Sequence, residues 1–289
     1  MTTPQPAPAA PNPPPNTLHH PRILCLHGGG TNALIFHAQC RVLRAHLSPY
    51  FRLVFASAPF PSQPGPDVVS VYQTFGPFLR WLRWLPSHPP IAASAAVSAI
   101  DASLAATMRA DDALGASGDW VGVLGFSQGA KVAASLLLRQ QRVGAGTAGT
   151  DFRFGVVMAG RGPLVAMEAG GVPGGENSNA ALVGAGEIGL AGWPDEETVA
   201  RKEHVLRVPT VHVHGSRDAG LEAHRGLVEG YCAGGTARVV LWEGEHRVPV
   251  KRGDVEAVVG EILGVARETG VFGGEGGGGW ARVGGGVGV

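Results

Sequence analysis

The chain has 289 residues, 44% of them hydrophobic and only 16% charged, with 23 Lys+Arg balanced by 23 Asp+Glu. That length fits one large α/β domain, and a net charge of zero leaves no electrostatic footprint for nucleic acid or for an acidic membrane, so a small or largely neutral partner is expected. Three cysteines (Cys25, Cys40, Cys232) give neither a disulfide framework nor metal-ligand spacing.

Residues 1–20 are proline-rich and expected to form a disordered tail. They lack the charged start and apolar stretch of a secretory signal. A domain over 21–270 follows, then a glycine-dominated tail over 271–289 that contains an isolated Trp280. No window offers the roughly 20 apolar residues of a membrane span, so the expected location is the cytoplasm.

Within the domain, strand-like and helix-like segments alternate. RILCL (22–26) reads as a strand ending in His27-Gly28-Gly29-Gly30, and residues 35–47 have helical spacing, with Phe36, Cys40, Leu43 and Leu47 on one face. FRLVFAS (51–57) is a strand, residues 91–109 an alanine-rich helix, WVGVLG (120–125) an apolar strand, and 130–140 the helix behind it. Further strands are expected at 152–159, 210–214 and 237–242, and helices at 222–231 and 254–266. Continuous apolar strands alternating with helices indicate a doubly wound, mostly parallel sheet covered on both faces. Two Gly/Pro-rich stretches, 59–90 and 160–209, are too long for ordinary connections and are expected to be lids or pocket walls. In the first, Phe75, Phe78, Trp81, Leu82, Trp84 and Leu85 recur at helical spacing, which suits either core packing or the wall of an acyl pocket. Phe78, Trp81 and Trp84 are the pocket candidates.

The chemistry centres on Gly125-Phe126-Ser127-Gln128-Gly129, a G-x-S-x-G sequence between an apolar strand and a helix. A sharp turn there exposes the serine oxygen above the sheet of an α/β-hydrolase fold. A serine hydroxyl needs a base, and in this fold an acid and then a histidine follow in chain order. Asp218 follows the strand TVHVHG and His246 follows ARVVLW, so both fall where strands end and ligands collect. Asp195, Glu243 and Glu245 are rival acids and His224 is a rival base, but His224 falls inside a helix. His212 and His214 alternate on one strand without an evident third ligand, so neither a metal nor another cofactor is expected. The oxyanion donors are expected to be the backbone N–H of Gln128 and, from the first strand–helix loop, that of Gly29 or Gly30.

The pieces LCLHGGGTNALIFHAQCRVL, FRLVFASAPF, GPFLRWLRWLP, DWVGVLGFSQGAKVAASLLLRQ, VPTVHVHGSRD and GEHRVP resemble the fungal serine hydrolase family over residues 21–263, and within it the lovastatin-thioesterase-like esterases of polyketide biosynthesis. The resemblance puts Ser127, Asp218 and His246 in the triad positions. It implies hydrolysis of an acyl ester or thioester, with the carrier domain of a polyketide synthase as a partner. The sequence departs from relatives in having Ala219-Gly220 where a proline often follows the aspartate, and Glu245 where many have glycine. Glu245 is expected to act on the neighbouring base.

Overall fold

The computed structural model describes residues 10–66, 68–168, 182–188 and 204–273. Six strands form one parallel sheet: β1 (Arg22–Leu26), β2 (Arg52–Ala56), β5 (Trp120–Phe126), β6 (Phe154–Met158), β9 (Thr210–Gly215) and β10 (Ala237–Trp242), in the order β10-β9-β6-β5-β1-β2. Each neighbouring pair is parallel. The order reverses between β1 and β5, so the loops leaving these two strands part and open a crevice at their carboxyl ends, where open α/β sheets bind ligands.

Why the strands other than the edge strand β10 read as uninterrupted apolar runs is visible in the packing, because successive residues face opposite sides and both sides are covered. Leu24 and Leu26 join a core with α4 (Ala93–Asp112), α5 (Gln128–Val143) and α6 (Leu221–Tyr231). Ile23 and Cys25 join the opposite core, with α1 (Ala33–Gln39), α2 (Arg41–Leu47) and α7 (Arg252–Glu268). The expected single helix over 35–47 is thus two helices meeting at Cys40, whose ψ of 8° departs from helical geometry while Phe36, Cys40, Leu43 and Leu47 all stay buried. None of the helices described is long and apolar enough to cross a membrane.

The first long insertion is not a helix at 75–85. It holds β3 (Phe60–Ser62) antiparallel to β4 (Phe78–Arg80), with the short α3 (Val69–Tyr72) between them. Gly76, Pro77 and Pro86 interrupt the backbone ladder that the apolar spacing alone suggested. In the second insertion β7 (Leu164–Ala166) pairs in parallel with β8 (Leu182–Gly184).

The domain also begins earlier and ends later than expected. Thr17 is buried, and its hydroxyl and the Pro14 carbonyl accept hydrogen bonds from the buried Arg52 guanidinium at 3.0 and 3.2 Å. Residues 14–20 are therefore fixed to the fold by an arginine on β2 rather than trailing from it. At the other end Phe272 packs its ring 5.3 Å from that of Phe51. The expectations for residues 1–9 and 274–289, Trp280 included, lie outside the described residues.

Candidate active site

β5 runs into α5 through a bend at Ser127, whose φ of 54° and ψ of −113° are rare for a residue with a side chain. The bend is tight enough to dictate its flanking glycines. A Cβ on Gly125 would lie 2.2 Å from the Gly129 carbonyl oxygen, and one on Gly129 would lie 2.2 Å from the Leu26 carbonyl oxygen. Ser127 is held from the other side by its N–H, which donates to Met158 O at 2.8 Å.

Ser127 Oγ stands 3.0 Å from His246 Nε2, and His246 Nδ1 stands 2.7 Å from Asp218 Oδ2. The residues are 119 and 28 positions apart in sequence. The loops bearing the acid and the histidine are bound together: Ser216 N–H donates to Trp242 O at 2.9 Å and Arg217 N–H to Gly244 O at 2.8 Å. Asp218 is buried, its Oδ1 accepting the Gly220 N–H at 2.8 Å. Burial pushes its carboxyl up. Hydrogen bonds from Gly220, His224 and His246, together with the charge of His246, outweigh that and hold it below the usual carboxylate value. The site thus keeps an ionised carboxylate beneath an imidazole that reaches a serine oxygen.

The rival residues fall elsewhere. His224 meets Asp218 rather than the serine, with Nε2 at 3.0 Å from Oδ2. Glu243 pairs with Arg217 at 2.7 Å, and Glu245 pairs with Arg247 rather than with His246. Asp195 lies outside the described residues. His212 and His214 are both buried on β9, and burial pushes their pKa down to about 3 and about 4, with neighbouring charges adding to the shift. Among the described residues, the three side chains near enough to share a metal ion are Asp218, His224 and His246. Their donor atoms are already joined to one another by hydrogen bonds, which a cation there would have to displace.

A cavity of about 670 Å³ opens over Ser127 and His246, and both long insertions contribute to its walls. Gly28, Gly29 and Gln128 reach it. Gly30 does not serve as a donor there, because its N–H is bound to Leu79 O at 2.8 Å. Of the three aromatic pocket candidates, Trp84 lines the cavity. Trp81 instead is fully buried in the core, its indole N–H donating to His27 O at 2.8 Å, and Phe78 lies on β4 outside the lining. Sequence reasoning missed the side chain of Gln128. Its Oε1 accepts the Trp81 and Leu82 N–H groups at 2.7 and 3.2 Å and its Nε2 donates to Leu82 O at 3.1 Å, tying the first insertion to the start of α5. Lys131, one helical turn beyond the serine, was also missed. It reaches the cavity although burial, with nearby Arg161, pushes its pKa down to about 8. A polar residue heading a helix gives no sign in sequence of which loop it will meet.

Known proteins resemble this chain in sequence and in fold. The family described as Serine hydrolase (FSH1) matches residues 17–258. Esterase pigG of Monascus ruber is 57% identical over 265 residues, covering 89% of this chain and 95% of its own, and a probable esterase, tazC, of Aspergillus terreus is 54% identical over 255 residues, covering 87% and 94%. Among solved structures, esterase PE8 superposes with a TM-score of 0.50 at 15% identity, covering 89% of this chain and 98% of its own, a likeness of fold.

Proposed function

This chain belongs to the serine hydrolase (FSH1) family, and from that premise we propose that it cleaves an acyl thioester through an acyl-enzyme on Ser127, releasing a polyketide from the carrier domain of a synthase. The observation that carries the reading is the unbroken chain from Ser127 Oγ to His246 Nε2 and from His246 Nδ1 to Asp218 Oδ2, set in the wall of a cavity large enough for an extended acyl group.

In this reading Ser127 attacks the acyl carbonyl while His246 takes its proton, and Asp218 stabilises the imidazolium that forms. The N–H groups of Gln128 and Gly29 hold the oxyanion. Each such donor is worth about 10²–10³ in kcat. His246 then passes its proton to the departing thiol or alcohol, and water, deprotonated by the same imidazole, releases the acid. Trp84 and the insertion walls receive the acyl chain.

A second reading, an esterase acting on free esters or lactones, is favoured by the relatives, which are named esterases. The triad serves both leaving groups. Parallel kinetics on an acyl thioester and its oxygen-ester analogue separate the two, and a strong preference for the oxygen ester defeats the thioesterase reading. Fluorophosphonate labelling of the wild type, and its loss in Ser127→Ala, tests the nucleophile itself.

A further inference from the structure

His224 sits in the first turn of α6, 1% exposed, and neither half of the reaction described above employs it. Its Nε2 is 3.0 Å from Asp218 Oδ2, the oxygen that also faces His246 Nδ1, and its Nδ1 is 2.9 Å from the Gly160 carbonyl oxygen. Both partners are acceptors: a carbonyl has no proton to give, and neither has an ionised carboxylate. A neutral imidazole carries a single N–H. It would leave one of the two contacts as lone pair against lone pair at hydrogen-bond distance, where water does not reach, and a buried polar atom left unpaired costs about 1–3 kcal/mol. A doubly protonated ring satisfies both.

We propose that His224 is a positioning residue for the Ser127–His246–Asp218 relay, an imidazolium clamped between the Gly160 carbonyl and the Asp218 carboxylate. The proposal rests on the triad reading above. Its first effect is orientation. Oδ1 of Asp218 is fixed by the Gly220 N–H and Oδ2 by His224, so the carboxylate cannot swing away from His246. The departure Ala219-Gly220 now has a physical account. A proline at 220 has no N–H for Oδ1, and a Cβ there would come within 3.0 Å of the His224 ring.

The second effect is electrostatic. The charge of Asp218 is shared between two rings, so less of it stabilises the proton that His246 takes from Ser127. His224 itself neither gains nor loses a proton in the cycle. The groups facing it are Asp218 from the loop after β9, His246 from the loop after β10 with ring centroids 6.0 Å apart, and His214 from β9 at 5.7 Å. On its own helix, Glu222 and Arg225 pair with each other at the surface.

Long-range ¹H–¹⁵N correlation of the histidines in the wild-type protein reads the charge state directly. Both His224 nitrogens are expected to carry protons near neutral pH, and a spectrum with one bare nitrogen overturns the proposal. In kinetics, His224→Leu is expected to lower kcat about 30-fold, as a loosened relay should, with KM within twofold and the acidic limb of the kcat/KM profile displaced to higher pH. His224→Gln returns a donor to Asp218 without the charge. It should recover most of kcat while keeping the displaced limb. A folded His224→Leu enzyme with unchanged kcat and unchanged limb overturns the proposal while leaving the triad intact. Should the leucine variant not fold, the wild-type spectrum still decides. Continued labelling of Ser127→Ala would remove the triad reading itself, and this proposal with it.

Discussion

Gly129→Ala tests how the nucleophile is held. The new Cβ would sit 2.2 Å from Leu26 O and 2.5 Å from His27 O, both backbone atoms. β1 carries Leu26 and is locked between β2 and β5, so the start of α5 must yield. Restoring an ordinary contact of 3.4 Å moves that turn by about 1 Å. Ser127 and the Gln128 N–H move with it, away from an imidazole now 3.0 Å from Oγ. A displacement of that size costs about 10²-fold in kcat, and overpacking costs about 1–3 kcal/mol of stability, or roughly 5 °C in Tm for a domain this size. Gly29→Ala is the contrast, since the atoms nearest its Cβ would be those of the Gln128 side-chain amide at 3.3 Å, a contact that a few tenths of an ångström relieves. Steady-state hydrolysis of a p-nitrophenyl acyl ester, with thermal unfolding of both variants, reads the two costs. A Gly129→Ala enzyme within threefold of wild-type kcat and within 1 °C of its Tm would refute the steric argument.

Three further outcomes follow from the same geometry. Asp111→Ala leaves the buried Arg52 guanidinium, now bound to that carboxylate at 2.7 and 3.0 Å, without a counter-ion, and urea denaturation should show a loss of about 3–5 kcal/mol. Burial pushes the pKa of His27 down from 6.5 to about 4, and burial with neighbouring charge takes His214 to about 4 and His212 to about 3, so the unfolded chain binds more protons than the native one between about pH 4 and 6.5. Stability should therefore fall as pH drops through that window, by roughly 3 kcal/mol for His27 alone, and a flat urea midpoint between pH 7 and 4.5 would contradict it. Gln128→Leu keeps the backbone N–H but releases the backbone at Trp81 and Leu82, so KM should rise several-fold with kcat less affected, as checked by full Michaelis curves on the same ester.

The sheet was legible because its strands read as apolar runs with sharp ends: five are buried on both faces, and the edge strand β10 stays apolar although Val239 and Leu241 are exposed. ARVVLW at 237–242 coincides with β10, and the ends of the other expected strands fall within two residues of the observed ones. The meeting of Ser127, Asp218 and His246 was legible for the same reason, since each follows the carboxyl end of such a strand. The segment 75–85 was not. Apolar residues three apart suit a helix, yet the same spacing arises when the irregular chain leaving β4 buries Trp81 while Trp84 lines the cavity. His224 was legible only as a histidine in a helix. Its use depends on where the Asp218 loop places α6 and on the carbonyl of Gly160, 64 residues away.

The placement of charge is likewise hidden from composition. A balance of 23 against 23 over the whole chain does not say where the charges lie on one concave surface. Among the described residues, Arg41, Arg83, Lys131, Arg161 and Arg247 reach the cavity, with Glu187 and Glu245. Of these, Glu245 is already paired with Arg247. The five cations come from five separate places in the sequence: the start of α2, the first insertion, one turn into α5, the loop after β6 and the histidine loop. No window of the sequence gathers them, because what brings them together is the shared carboxyl edge of a parallel sheet. Among the described residues, cations that composition cancels are thus gathered along one cleft.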